Sequence, residues 1–343
     1  MRIGILGGSF DPIHSGHISL ANRAKQLLNL DEVWILPSSL TPLKDRKLTN
    51  DEDRKNMILM SIASYPHLKL CTLEMERKGV SYTIDTIKQL KQMYPEHDFY
   101  WMIGNDQLKQ FDLWKEPEQI CELVHVICFN RDHEIVSTSY NIQTLHMDDV
   151  LVSSSEIRNG YKLDYLCDGV LDYIYEHRLY VENFVAQRVK LKRFAHSVSV
   201  AHLCEEFARN NGFDVQKAYY TGLFHDIAKS MTKEEMEPIM DSLCPENKKY
   251  AVAVWHGFVG SVIVQRDFKI HDAQIINAIY HHVLGTSDDP YAMMVFCADK
   301  LDPLRDYDTS YGISLCNEDI TKGFKHELEE NKKYLRGNKN GNQ

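Results

Sequence analysis

The sequence predicts a doubly wound α/β domain built on a parallel sheet, followed by an all-α domain. Two patterns carry that expectation: short apolar runs alternate with helix-period segments as far as Tyr180, and beyond it helical patterning continues to Ile279 without a convincing strand. Length is the third observation, since 343 residues exceed what one hydrophobic core usually supports.

Arg2 to Leu6 reads as a buried parallel strand and leads directly into Gly7-Gly8-Ser9-Phe10-Asp11-Pro12-Ile13-His14-Ser15-Gly16-His17. Gly7 and Gly8 carry no Cβ to block a ligand, and Pro12 stops further strand pairing. From Gly16 the pattern is helical, with Ile18, Ala21, Ala24, Leu27 and Leu28 on one face. His14 and His17 therefore stand at a helix N-terminus, where orphan N–H groups and the positive end of the dipole suit a phosphate. Glu32 to Pro37 is a second strand, giving a βαβ unit, and the loop after it holds Pro42, Leu43 and Lys44, the last a cation able to meet a triphosphate. Thr49 and Glu52 form a capping box for a helix with Met57, Ile58, Ile62 and Ala63 on its apolar face and Arg54 facing the other way.

Leu68 to Leu73 reads as a third strand, and Ser81 to Thr86 as the start of the next helix. Phe99 to Ile103 is a fourth strand, with Gly104-Asn105-Asp106 at its carboxyl end, where open α/β sheets place ligands. Val124 to Phe129 is a fifth, with Arg131 just past it. Ser153-Ser154-Ser155-Glu156-Ile157-Arg158 offers hydroxyls and amides at a helix start with an arginine one turn on, a second anion cradle. Val170 to Tyr180 closes the first domain, assigned to residues 1–182.

The second domain is assigned to residues 186–316 and a charged helix and tail to 317–343. The basic cluster Arg188, Lys190, Lys192 and Arg193 at the junction reads as a solvated face. Within the helices His196, the adjacent His225 and Asp226, His256, His282 and Asp299 each interrupt an apolar stretch, where an unpaired imidazole or carboxylate is costly to bury. Together they suggest a metal cluster. A net charge of −10 argues against non-specific nucleic-acid binding and favours small nucleotides as partners. The eight cysteines include no Cys-x-x-Cys pair and follow no signal peptide, which indicates reduced thiols in the cytoplasm, and no apolar run is long enough for a membrane span.

Gly-Gly-Ser-Phe-Asp-Pro followed by His-x-Gly-His resembles the signature of the nicotinate-mononucleotide adenylyltransferases, whose fold is a Rossmann-like nucleotidyltransferase domain. The resemblance extends through Ser81-Tyr82-Thr83-Ile84-Asp85-Thr86, Gly104-Asn105-Asp106 with Trp114, and Ser153 to Arg158. It departs at Thr41-Pro42-Leu43-Lys44, where the family usually has Pro-Pro-His-Lys, and at Lys115, where an aromatic residue usually follows the tryptophan. The resemblance implies transfer of AMP from Mg²⁺-ATP to nicotinate mononucleotide, giving deamido-NAD and pyrophosphate. It also implies that Gly7, Gly8, Ser9, Phe10, His14, His17, Gly104, Asp106, Ser153, Ser154, Ser155 and Arg158 bind ATP. Asp11, Tyr82, Thr83, Thr86, Trp114 and Arg131 would hold the mononucleotide, with His14, His17, Lys44 and Arg158 catalytic. A pantetheine-phosphate adenylyltransferase, which shares His-x-Gly-His, is the alternative.

The later order His, His-Asp, His, His, Asp resembles the HD-domain phosphohydrolases, most closely the bacterial members that cleave diadenosine tetraphosphate symmetrically. Trp255-His256-Gly257-Phe258-Val259-Gly260, Ala278-Ile279-Tyr280-His281-His282 and Ala298 to Arg305 carry that likeness, while Val283-Leu284-Gly285 stands where two threonines usually precede the glycine. It implies His196, His225, Asp226, His256, His282 and Asp299 as ligands to iron, or alternatively manganese or zinc, with Asp226 and Lys229 catalytic and two ADP as products. The alternative for this half is a non-catalytic nucleotide sensor that regulates the transferase.

Overall fold

The first strand, β1 (Arg2–Gly8), lies inside a six-stranded parallel sheet of order β3-β2-β1-β4-β5-β6, its partners being β2 (Glu32–Pro37), β3 (Leu68–Leu70), β4 (Asp98–Gly104), β5 (His125–Asn130) and β6 (Ile142–His146). Ile3 and Ile5 are fully enclosed, as expected for a parallel strand covered on both faces. The computed structural model describes residues 1–39, 48–77, 79–130, 137–146 and 151–340. The chain divides into two units, Met1–Arg158 with Lys162–Leu179 and Asn159–Tyr161 with Tyr180–Gln343.

In the first unit the helices between strands are α1 (Ser15–Leu28), α2 (Asp51–Ile62), α3 (Leu73–Arg77), α4 (Thr83–Met93), α5 (Asn105–Leu108) and α6 (Pro117–Leu123), and α7 (Ser154–Arg158) and α8 (Val170–Glu176) follow the last strand. Several local expectations are corrected. The third strand stops at Leu70, and Leu73 opens α3 instead. The sixth strand carries no apolar run to announce it, because Gln143, Thr144 and His146 are exposed on a sheet edge. On α1 it is Leu20, not Leu27, that is buried, and Leu27 is exposed. The N-cap of α2 is Asn50, whose side chain accepts from the Asp53 amide, rather than Thr49. Ala63 is exposed at the end of that helix, whereas Arg54, expected on the solvent face, is completely buried.

The second unit is built from α9 (Val181–Ala186), α10 (Leu191–Asn211), α11 (Val215–Phe224), α12 (Lys233–Leu243), α13 (Val252–Arg266), α14 (Ala273–His281), α15 (Pro290–Leu301), α16 (Ser310–Glu318) and α17 (Ile320–Asn340), with no strand among its described residues. α15 is buried continuously from Tyr291 to Ala298, so it is the central helix, and its C-terminal end carries Asp299 out of the core. α11 meets α10 backbone to backbone: a Cβ on Gly222 would lie 2.6 Å from the Ala201 Cα. That close approach brings the end of α11 against the middle of α10. Among the described residues no helix is long and apolar enough to cross a membrane.

Candidate active sites

β1 is flanked by β2 and β4, and the sheet grows outward in opposite directions from the β1–β4 pair. This is the topological switch point, and the crevice beyond its carboxyl ends is where an open α/β sheet can take a ligand. Gly7 and Gly8 end β1, and Gly104 ends β4 as the N-cap of α5. A Cβ on Gly8 would come 3.1 Å from the buried Phe10 ring, which would have to shift to admit it. His14 is the N-cap of α1, and His17 at its third position accepts the His14 amide through Nδ1 at 3.2 Å. The two imidazoles stack, with centroids 3.7 Å apart, and Phe10 meets His17 edge-on at 5.0 Å. The helix N-terminus is thus walled by two oriented rings.

The second motif folds directly onto the first. Ser154 Oγ donates to the Pro12 carbonyl at 2.8 Å, and the Arg158 guanidinium to the Asp11 carbonyl at 2.6 Å, across more than 140 residues of sequence. Within the motif the roles divide: the Ser153 hydroxyl is committed to a capping box with Glu156, so Ser153 caps α7, while Ser155 is exposed. Asp106 is exposed on α5. Lys44 and Arg131 lie outside the described residues.

Arg54 is the residue that sequence reasoning missed here. Its guanidinium donates to the Ser9 carbonyl at 2.7 Å, to the Thr49 carbonyl at 3.1 Å and to Asp51 at 2.5 Å. A buried cation thereby ties the signature loop to the start of α2. A charged residue on an otherwise polar helix face gives no pattern that would reveal this.

In the motif expected to hold the mononucleotide, Tyr82 is the exposed N-cap of α4 and Thr83 its half-buried first residue. The Thr86 hydroxyl, expected to face a substrate, is instead buried against Glu74 and Arg77, 2.7 Å from each. Burial raises the Glu74 carboxyl above its ordinary range against the pull of that hydroxyl. Trp114 is half-buried and packs on Phe111 with centroids 5.1 Å apart, leaving part of the ring accessible. Lys115 sits 5.1 Å over the Tyr82 ring and pairs with Asp85 at 3.0 Å.

In the second unit the six dispersed residues meet. His196 comes from α10, His225 and Asp226 from the end of α11, His256 from α13, His282 from the end of α14 and Asp299 from α15. His225 and Asp226 do not continue α11 but cap and follow it, so both project from a helix end. Four rings aim Nε2 at two carboxylates. His256 and His282 lie 3.2 and 3.7 Å from one Asp226 oxygen, His225 lies 3.5 Å from the other, and His196 lies 3.2 Å from Asp299. Two triads of donor atoms, His196/His225/Asp226 and Asp226/His256/His282, each fall within 4.8 Å, and Asp226 belongs to both.

The opposite ring nitrogens are held from behind. Nδ1 of His225, His256 and His282 faces the carbonyls of Gly222, Ala253 and Ile279 at 2.6, 2.8 and 2.6 Å, and His196 Nδ1 faces Asp302 at 2.5 Å. Donation from Nδ1 leaves the Nε2 lone pairs inward, the arrangement of metal-binding histidines. Burial pushes the His282 imidazole down to about 4, so it is neutral at pH 7. Burial opposes charge on Asp226 as well, but the adjacent His225 holds its carboxyl well below the ordinary range. His225 Nε2 is buried without a hydrogen-bond partner among the described residues. The donor set and that orphaned nitrogen fit a divalent metal.

Two residues here were unforeseen in role. Asp302, almost fully buried, orients His196 while Ser199 donates to its other oxygen at 2.6 Å; its position three residues after Asp299 was the available signal. Arg193, expected on a solvated face, places its guanidinium 2.8 Å from Asp226. Lys229 reaches His256 at 3.1 Å.

Residues 5–160 match the cytidylyltransferase-like family model and residues 193–304 the HD domain model. A probable nicotinate-nucleotide adenylyltransferase of Oceanobacillus iheyensis is 37% identical over 184 residues, covering 52% of this chain and 96% of the relative. One from Bacillus cytotoxicus is 39% identical over 185 residues, covering 52% and 98%. A Mycoplasma genitalium protein named probable nicotinate-nucleotide adenylyltransferase/Ap4A hydrolase is 28% identical over 309 residues, covering 89% of this chain and 88% of its own. With a nucleotide crevice in one unit and a histidine–aspartate cluster in the other, the chain belongs to the nicotinate-nucleotide adenylyltransferase family and carries an HD domain behind the transferase half.

Proposed function

We propose that the chain is a bifunctional cytoplasmic enzyme that adenylylates nicotinate mononucleotide and hydrolyses diadenosine tetraphosphate to two ADP. One observation carries the reading: each unit contains a separate constellation of its own. The relatives' names supply the substrates.

In the first reaction a phosphate oxygen of the mononucleotide attacks the α-phosphorus of ATP in line, and the bond to the β-phosphate breaks to release pyrophosphate. No covalent intermediate on the protein is required, so catalysis is positioning and charge stabilisation. The α1 N-terminus, His14 and His17 receive the phosphates, and Arg158, anchored on the Asp11 carbonyl, adds positive charge beside them. Lys44 and Arg131 are assigned to the triphosphate and the mononucleotide by resemblance. Tyr82, Thr83 and the accessible part of Trp114 hold the pyridine ring. Mg²⁺ bound with ATP would offset its charge.

In the second reaction a water oxygen adds to a β-phosphorus and the central bridging P–O bond breaks, giving two ADP. His196, His225, Asp226, His256, His282 and Asp299 would hold iron, with manganese or zinc as alternatives. Such an ion supplies Lewis acidity and a water that is acidic near neutral pH. Asp302 fixes the His196 tautomer, and Lys229 neutralises a phosphate oxygen. Eight thiols without a disulfide are consistent with a reducing compartment.

Asp226→Ala in the full chain tests the division. The expected result is loss of bound transition metal and of tetraphosphate hydrolysis by at least ~10³-fold, with adenylyl transfer within about twofold of the parent. Hydrolysis surviving in a folded Asp226→Ala protein would remove the assignment.

A further inference from the structure

A cavity of about 730 Å³ opens beside His196 and Asp302, and the chemistry described so far uses little of it. One wall is basic. Lys190 and Lys192, at the start of α10, flank it together with Arg193 and Lys229, and among the described residues neither Lys190 nor Lys192 is paired with a carboxylate. A second part of the wall comes from the segment after α15, where Leu304 and Tyr307 are 62% and 57% exposed. Tyr307 is exposed but held, because its hydroxyl donates to the Lys300 carbonyl. Asp306 is the anion lining this wall, and Asp302 is already engaged with His196 and Ser199.

These features make a device with two ends. Cations without counter-ions attract phosphates, and an aromatic face tethered at its hydroxyl presents a stacking surface at little entropic cost. The cavity volume falls within the range of ordinary ligand pockets, about 300–1,000 Å³. A simple phosphate ester cleaved at the histidine–aspartate cluster would leave the whole space unused.

We propose that this cavity is a nucleotide subsite in which Lys190 and Lys192 hold the phosphates of one half of the substrate and Tyr307 stacks on its base. The inference rests on the hydrolase reading and deepens it: the cluster selects a polyphosphate that carries a nucleoside beyond the cleaved bond. The phosphate and base ends are separable, because an inorganic polyphosphate can engage the lysines but has nothing to stack.

The test uses the full chain loaded with manganese, the double variant Lys190→Ala/Lys192→Ala and the single variant Tyr307→Ala. Diadenosine tetraphosphate turnover is measured, and binding of inorganic tripolyphosphate, and of diadenosine tetraphosphate if it is not cleaved, is followed by equilibrium dialysis. Retained adenylyl transfer and helical circular dichroism serve as folding controls. The double variant is expected to raise the KM for diadenosine tetraphosphate about tenfold or more with kcat changed little, and to weaken tripolyphosphate binding in parallel. Tyr307→Ala is expected to raise that KM about fivefold and leave tripolyphosphate binding unchanged, while Tyr307→Phe, which keeps the ring, retains more of the parent's KM. Parent-like KM values in both variants would overturn the subsite while leaving the hydrolase reading intact. A parent enzyme that binds the dinucleotide without cleaving it would instead defeat the hydrolase reading, and the dialysis comparison would still decide the subsite: equal binding by parent and variants would overturn it, weaker binding by the variants would support it.

Discussion

The two units solve phosphate chemistry with different materials. In the first, the crevice is made of backbone: strand ends, helix N-termini and carbonyls that hold Arg54 and Arg158 in place. In the second, it is made of side chains, four imidazoles and two carboxylates brought together from five helices and their ends, with Asp226 shared between two triads. A backbone cradle needs its loop conformation to be correct and tolerates a missing side chain only partly. A ligand cluster is indifferent to any single loop but fails when its shared member is lost. The comparison therefore teaches where each site is vulnerable: at its positioning contacts in one case, at its central ligand in the other.

His17→Ala sharpens the first half of this contrast. Removing a ring at the α1 N-terminus should lower kcat for adenylyl transfer by at least ~10²-fold, since it takes away charge stabilisation as pyrophosphate departs, and should leave tetraphosphate hydrolysis unchanged. A parent-like kcat would mean that the stacked pair His14 and His17 is structural.

Arg54→Met probes positioning with a smaller expected effect. Methionine fills much of the buried volume but leaves the Ser9 and Thr49 carbonyls without their donor, at a cost of about 1–3 kcal/mol in stability for a buried unsatisfied group. Transfer should fall about tenfold, more in kcat than in the KM for ATP, because the loop is displaced rather than removed. Arg54→Lys should recover part of it. Stability loss with unaltered kinetics would break the link between Arg54 and the site.

Legibility in the sequence followed the same division of materials. Strands β1, β2, β4 and β5 were readable because parallel strands buried on both faces are continuous apolar runs. β6 was not, since an exposed edge strand needs no such run. Ser9 to His17 and Ser153 to Arg158 were each visible as motifs, but their mutual contact through Asp11 and Pro12 is a tertiary fact that spacing cannot supply. The histidine–aspartate cluster was readable because imidazoles stand out in apolar helices, while Arg193 and Arg54 were misjudged for one reason: a cation drawn inward by a carboxylate or by carbonyls looks, in sequence, like any solvated cation. Thr86 erred in the opposite direction, a helix-start hydroxyl turned into the interior by Glu74.

The central claim is that one chain carries two independent nucleotide reactions, and product analysis of the purified full-length protein tests it most directly. ATP with nicotinate mononucleotide should yield deamido-NAD and pyrophosphate. In a separate reaction diadenosine tetraphosphate should yield ADP as the sole nucleotide, and removing transition metal with a chelator before restoring Mg²⁺ should abolish only the second conversion. ATP plus AMP from the tetraphosphate, or loss of both conversions together after chelation and Mg²⁺ addition, would contradict the account.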